Sequence, residues 1–345
     1  MRLILIGFGV VGQSFVKLLL SRTADLYNLY GIKPRVVACI DNGGSAVSPQ
    51  GLDLNRLLDV KRTKGTVASY QARKDKFDTI HIIENVGAEV LIELTPTNLK
   101  DGEPGILHIT TAMKYGKNVI TVNKGPLALA FPSLIELARF NNVNLRFSGT
   151  VGGGTSILEF AKRCLRGDRI VSFRGILNGT TNYILTKMED GLNFQDALID
   201  AKNKGYAEKS PSLDVEGYDA AAKLAIMANW IMGMKVTIKD VNRSGISKVK
   251  LSDIQLAQKE GKAIKLIARC NKNSLDVKPT YVSKIDPICV NGTLNAVTFT
   301  SEHSGQQTII GRGAGGIETA SAILRDLIEI KDTITEKQTI RSLVF

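Results

Sequence analysis

Asp219 and Lys223 stand four residues apart in an alanine-rich stretch, Asp219-Ala220-Ala221-Ala222-Lys223-Leu224-Ala225-Ile226. Alanine favours helix, and this spacing puts carboxylate and ammonium on one helical face. Two readings follow. Solvent-facing pairs with this spacing are common and contribute little. Here, however, small and apolar neighbours predict a buried helix, and two more acids, Glu208 and Asp214, arrive just before it. Carboxylates in that setting can hold the ammonium of an amino-acid substrate, and a lysine can give a proton to a carbonyl being reduced. Upstream, Ile176-Leu177-Asn178-Gly179-Thr180-Thr181-Asn182-Tyr183 adds hydroxyl contacts suited to a small polar substrate.

A second chemistry sits at the front of the chain. The apolar run Arg2-Leu-Ile-Leu-Ile6 leads into Gly7-Phe8-Gly9-Val10-Val11-Gly12 and then a helix-forming stretch. Strand, G-x-G-x-x-G, helix is the order of a dinucleotide site. Gly7 permits the tight turn, Gly9 leaves room for a pyrophosphate at the helix N-terminus, and Gly12 lets helix lie close on strand. The next apolar run, Val36 to Ile40, ends in Asp41, where a carboxylate can bind the adenosine ribose. The alternative for Asp41 is a turn residue before Asn42-Gly43-Gly44. Lys61 and Arg62 can instead pair with a 2′-phosphate, so NAD and NADP both stay open. The polar stretch from Thr23 to Pro34 is read as a loop lengthening this unit.

These groups need a frame. Val90-Leu91-Ile92-Glu93-Leu94 runs into Thr95, and Asn118-Val119-Ile120-Thr121-Val122 runs into Asn123-Lys124. Helical stretches lie at Ile106 to Tyr115 and around Pro132 to Phe140, before Asn144-Leu145-Arg146-Phe147. This alternation predicts an α/β fold with a parallel, doubly wound Rossmann-type sheet. Ligands bind such sheets beyond the carboxyl ends of the strands. Thr95 and Lys124 therefore either reach nicotinamide, ribose or substrate, or serve as a strand-end turn and a solvated lysine. Val151-Gly152-Gly153-Gly154-Thr155-Ser156 opens a helix from Ile157 to Leu165, as an anion or backbone-ligand site or as a flexible crossing. Short β-rich runs between Val236 and Thr300 predict an α+β substrate domain with a mostly antiparallel sheet. A final glycine-rich run precedes a helix from Ser321 to Ile330, expected to pack back on the first domain and present Gly315 to the cofactor. The expected domains are 1–147 for the dinucleotide, 148–308 for catalysis and dimerisation, and 309–345 for the returning segment.

Composition narrows the class. A chain of 345 residues suits two domains. No apolar run is long enough to span a bilayer, and glycines and polar residues interrupt the N-terminal apolar stretch with no cleavage site after it, so we expect a cytoplasmic protein. The formal charge of +12 is spread without aromatic interleaving, which favours a basic surface attracting anionic cofactors over nucleic-acid binding. The four cysteines form no Cys-x-x-Cys pair and the three histidines are scattered, which argues against zinc and a disulfide framework. Pairing of Cys270 with Cys289 is left open.

Taken together, the motifs resemble homoserine dehydrogenase over essentially the whole chain. They are residues 7–12, Thr121-Val122-Asn123-Lys124, residues 150–154, Gly179-Thr180, Gly205-Tyr206-Ala207-Glu208, residues 214–223 and Gly311-Arg312-Gly313-Ala314-Gly315-Gly316. The block 205–223 is the most specific, because glycine-rich nucleotide loops occur in many dehydrogenases. The resemblance implies reversible conversion of L-homoserine to L-aspartate 4-semialdehyde with NAD or NADP, on the way to threonine, isoleucine and methionine, by a homodimer. It implies Lys223 as proton donor and acceptor, Asp219 as its support, and Glu208, Asp214, Thr180 and Tyr206 at the substrate. Lys124 then marks the cofactor–substrate junction, Thr95 and Gly315 contact cofactor, and Phe8, Val10 and Val11 line the dinucleotide turn. The family also binds a monovalent cation such as Na+. Ser148 stands where the family has a glutamate ligand, leaving the carbonyls of Val151, Gly153 and Thr155 as candidate donors. Lys209-Ser210 replaces the family's Ala-Asp, removing one substrate-side carboxylate. Ending at Phe345, the chain is not expected to carry the regulatory domain of longer relatives or its threonine inhibition. Two rival activities need features of their own. An aspartate-semialdehyde dehydrogenase needs a cysteine nucleophile near a histidine, which residues 179–182 lack. A non-catalytic nicotinamide-sensing regulator or basic nucleic-acid binder needs a helix-turn-helix or a basic aromatic patch, and neither is seen.

Overall fold

The β-branched and leucine-rich runs at the front of the chain become the centre of a sheet. In the computed structural model, which describes residues 1–71, 78–208 and 210–343, contacts divide the chain into two units. Unit 1 is Met1–Thr150 with Gly315–Phe345, and unit 2 is Val151–Ala314.

Unit 1 runs β1 (Arg2–Ile6), α1 (Val10–Ser21), α2 (Thr23–Tyr30), β2 (Arg35–Asp41), β3 (Gly44–Val47), α3 (Leu54–Lys64), α4 (Thr79–Asn85), β4 (Val90–Glu93), α5 (Gly105–Lys114), β5 (Asn118–Thr121), α6 (Lys124–Phe140) and β6 (Leu145–Arg146). The sheet order is β3-β2-β1-β4-β5-β6. All pairings are parallel except the β2–β3 hairpin. Strands β1 and β4 are buried along almost their whole length, which explains their unbroken apolar character.

The Thr23–Pro34 stretch is not a loop through most of its length. Thr23–Tyr30 is α2, with Leu26 buried and left-handed Gly31 closing its C-terminus against the Leu26 and Tyr27 carbonyls. A helix that buries one side chain shows no apolar period, so its polar residues read as loop. Helix α6 likewise starts earlier than the sequence suggested. Asn123 accepts from the Gly125 N–H at its N-cap, and the backbone departs from helix at Ala130, two residues before Pro132.

Unit 2 carries α7 (Ile157–Glu159), β7 (Ile170–Ile176), α8 (Gly179–Glu189), α9 (Phe194–Asn203), α10 (Ser212–Val215), α11 (Tyr218–Met232), β8 (Asn242–Arg243), α12 (Leu251–Lys259), β9 (Lys262–Cys270), β10 (Leu275–Ser283), β11 (Leu294–Ser301) and β12 (Gly305–Arg312). Its sheet, β12-β11-β7-β9-β10-β8, is antiparallel except for β8 beside β10. Helix α7 passes into a π-turn over Phe160–Cys164, completing the helical stretch expected there.

The last helix, α13 (Gly316–Leu343), returns to unit 1. Its Ala320, Ile323, Leu324, Leu327 and Ile330 join the core formed with Phe15, Val16 and Leu19 of α1. Each large side chain buried this way contributes about 1.5–3 kcal/mol. At the start of α13 a Cβ on Gly316 would lie 2.8 Å from Val10 Cγ1, so the two helices touch there. Among the described residues no helix is long and apolar enough to cross a membrane.

Candidate active site

In unit 1 the glycine turn has the geometry that an anion needs. Gly7 sits at φ +101°, and a Cβ there would lie 2.6 Å from the Leu94 carbonyl. Gly12 supports close packing, because its Cβ would lie 2.6 Å from the Gly7 carbonyl oxygen. Gly9 is different, with open space where a Cβ would be. It is the N-cap of α1, which has no side-chain cap and no acid in its first turn. A helix N-terminus left open in this way attracts a phosphate, so these residues fit a dinucleotide. Val10 is exposed at this turn, whereas the Phe8 side chain belongs to the core, leaving only its backbone for a ligand.

Asp41 ends β2, the position expected of a ribose ligand, and its carboxylate is engaged by the protein itself. Oδ1 accepts from Gly43 N at 2.9 Å and Thr66 Oγ1 at 2.8 Å. Oδ2 accepts from Lys61 Nζ at 2.6 Å and Val67 N at 3.0 Å. All four acceptor directions of this carboxylate are filled, and its side chain is 5% exposed. Burial alone would raise its pKa, but these four bonds hold the carboxyl below its ordinary range. Asp41 thus ties the β2–β3 turn to the segment after α3, a fuller form of the turn role. Lys61 also donates to the Gly65 carbonyl, and Arg62 pairs with Asp59 on the surface.

At the ends of β4 and β5 a buried network appears that sequence reasoning missed. Glu93, fully buried, accepts from Thr95 N at 3.1 Å and from the Thr95 hydroxyl, and at 3.3 Å from Thr121 Oγ1. Asn123 Nδ2 donates to Thr95 Oγ1 at 3.1 Å, while Asn123 caps the helix that opens with Lys124. The Thr95 hydroxyl proton is therefore committed to Glu93, and toward a ligand that oxygen can only accept. The visible signal was the single charge in an otherwise apolar strand. Gly315 stands exposed at φ +138° just ahead of α13.

Unit 2 gathers the acids and the lysine. Lys223 Nζ lies 2.7 Å from Asp219 Oδ2 and donates to the Leu177 carbonyl at 2.8 Å. The two residues are only 6% and 9% exposed, so the solvent-facing reading is excluded. Breaking one side of a pair this buried costs about 3–5 kcal/mol. Asn178 Nδ2 donates to both Asp214 Oδ1, at 2.6 Å, and Asp219 Oδ2, at 2.9 Å. The corner between α10 and α11 that presents these acids is fastened from outside. Gly217 caps α11 at φ +77°, Arg243 lies 3.5 Å over the Tyr218 ring, and a Cβ on Gly245 would lie 2.2 Å from the Val215 carbonyl oxygen.

Thr180 Oγ1 donates to the Tyr206 carbonyl at 2.7 Å, and the Tyr206 ring rests 4.8 Å from Tyr183. Tyr206 and Glu208 are exposed, and Lys209 lies outside the described residues.

The expected cation set fits poorly. Ser148 donates from N and Oγ to Asp326 at 2.9 and 2.5 Å. The Thr155 carbonyl accepts from Ile157 N with one of its two lone pairs, and position 148 adds no charged ligand to the carbonyls of Val151, Gly153 and Thr155. Among the described residues no group of three histidine, cysteine, aspartate or glutamate side chains gathers to hold a metal. All four cysteines are free thiols, so Cys270 and Cys289 do not pair.

Comparison with known proteins gives the arrangement its context. The family model described as homoserine dehydrogenase matches residues 157–328. A homoserine dehydrogenase of Methanocaldococcus jannaschii is 45% identical over 331 residues, covering 96% of this chain and 98% of the relative. An NAD(+)-dependent homoserine dehydrogenase of Pseudomonas canavaninivorans is 39% identical over 346 residues, covering 98% of each. The solved structure of a hyperthermophilic archaeal homoserine dehydrogenase in complex with NADPH has a TM-score of 0.85 at 27% identity, covering 96% of this chain and 98% of that one. Neither rival activity has comparable support, and on sequence, fold and coverage the chain belongs to the homoserine dehydrogenase family.

Proposed function

We propose that Lys223 is the acid–base group with which this oxidoreductase interconverts L-homoserine and L-aspartate 4-semialdehyde. The observation that carries the assignment is the buried Asp219–Lys223 pair with its second bond to the Leu177 carbonyl. A neutral lysine amine has two N–H groups and one lone pair. Asp219 and Leu177 take the two N–H groups, which leaves the lone pair for the hydroxyl proton of homoserine. In the reverse direction a third N–H occupies that position and donates to the aldehyde oxygen. Asp219 and the Leu177 carbonyl hold Nζ in one place for both directions of the reaction.

Asp214, joined to Asp219 through Asn178, and the exposed Glu208 are assigned to the substrate ammonium, with Thr180 and Tyr206 beside them. Unit 1 is assigned to the dinucleotide through the turn from Gly7 to Gly12, with Thr95, Lys124 and Gly315 as further contacts. When bound, the nicotinamide accepts or returns the hydride of the reacting carbon. Relatives are named for NAD+ and solved with NADPH, so either form is a candidate here. The internal bonds of Asp41 weaken the case for it as ribose ligand and leave Arg62 the less committed of the two nearby cations. Hydride and proton transfer balance without a monovalent cation, so Val151, Gly153 and Thr155 carry no step.

We place the enzyme in the cytoplasm as a homodimer, with its subunit contact on unit 2, where Tyr281, Ile285 and Ile310 expose apolar surface. The test of function is turnover of L-homoserine with NAD+ and NADP+ in turn, followed at the nicotinamide absorbance. The expected product is the semialdehyde, and no turnover with either cofactor would overturn the reading.

A further inference from the structure

Asn178 has two ends with different work. Its Oδ1 accepts from Thr181 N at 2.8 Å and from Thr181 Oγ1 at 3.0 Å, capping α8. Its Nδ2 uses both protons on carboxylates, one of Asp214 and one of Asp219. The orientation is fixed by chemistry, since carboxylates only accept and the Thr181 backbone N–H only donates. The residue is 4% exposed, so water does not substitute for these bonds.

Two carboxylates that converge on one nitrogen repel each other, and the bond to Lys223 is made by Asp219. An amide bridges them without adding a third charge. At Asp219 it donates to Oδ2, the same oxygen that Lys223 holds. Two donors on one oxygen share its charge, so Asn178 moderates the pull of Asp219 on the lysine.

We infer that Asn178 is a positioning residue for the reaction. It holds the substrate acid Asp214 and the lysine-supporting acid Asp219 at a fixed spacing, beyond its structural role as a helix cap. The inference rests on the proposed role of Lys223.

Two substitutions separate cap from bridge. Serine and aspartate cap helices about as well as asparagine, but Asn178→Ser is too short to span both acids, and Asn178→Asp replaces the donor with a negative charge. The experiment measures kcat, KM for L-homoserine, KM for the nicotinamide cofactor and Tm for both variants beside wild type and Lys223→Ala. For Asn178→Ser we expect kcat/KM for homoserine to fall at least ~10-fold, the scale of losing charge-assisted hydrogen bonds. Both kcat and KM should move, with cofactor KM unchanged. Asn178→Asp should be more impaired than Asn178→Ser. Wild-type homoserine kinetics in either variant would overturn the inference. If Asn178→Ser fails to fold, Asn178→Asp, which keeps the capping acceptor, decides by the same criterion. An active Lys223→Ala would instead remove the reading on which the inference depends.

Discussion

Gly9 and Gly12 share one motif, yet alanine at the two positions should have opposite consequences. At Gly12 a methyl would lie 2.6 Å from the Gly7 carbonyl oxygen, 3.3 Å from Phe8 Cδ2 and 3.4 Å from Leu94 Cδ1. The first of these is backbone and cannot swing away, so overpacking should cost about 1–3 kcal/mol. The better helix propensity of alanine offsets up to about 1 kcal/mol of that. For a unit of this size each kcal/mol lowers Tm by roughly 2–4 °C. At Gly9 the methyl would meet nothing within 4 Å, and the backbone, at φ −82°, accepts any residue. Stability of Gly9→Ala should therefore stay within about 0.5 kcal/mol of wild type. The open space beside Gly9 is where the pyrophosphate is proposed to approach α1, and a methyl there should weaken dinucleotide binding at least ~10-fold, or about 1.4 kcal/mol. Thermal denaturation without ligand and a fluorescence titration with each nicotinamide separate the two effects. Unchanged binding in a stable Gly9→Ala protein would refute the placement of the pyrophosphate.

Two further outcomes follow from groups already described. The Asp41 carboxyl is held below its ordinary range by Lys61, Thr66, Val67 and Gly43 against the opposing effect of burial. Its contribution is therefore fully present above the unfolded value, about 3.9, and is lost as pH falls through the lower folded value. Asp41→Asn should cost about 1–3 kcal/mol at pH 7 in urea denaturation, and the gap to wild type should narrow below about pH 4; a gap that is constant with pH would contradict this. Cys39 and Cys270 are buried, burial pushing both thiols up, Cys270 to about 11, while Cys164 is exposed. A disulfide-exchange reagent should find Cys164 fast in the native protein and all four thiols after denaturation without reductant. Recovery of only two would indicate a Cys270–Cys289 bond.

What could be read in advance was what the backbone encodes locally. The three glycines of the turn, the apolar strands β1, β2, β4 and β5, and the Asp219–Lys223 spacing all carry their meaning within a few residues. What escaped depends on distant partners. Asp41 reads as a ribose ligand or a turn residue, and its bonds to Lys61, Thr66 and Val67 come from a segment beyond the reach of that local pattern. Strand β9 lies within the stretch read as β-rich, but its Lys265, fully buried and 3.0 Å from Glu189 on α8, makes a pairing that no local pattern announces. Glu93 and Asn178 were visible as residue types, but their bonds to Thr95, Asp214 and Asp219 exist only once the strands and helices are assembled.

The most direct test is the rate of homoserine oxidation by Lys223→Ala under saturating cofactor. Removal of an acid–base group should lower kcat at least ~100-fold while leaving nicotinamide affinity, a property assigned to the other unit, where it was. A variant that oxidises homoserine at the wild-type rate would contradict the account at its centre.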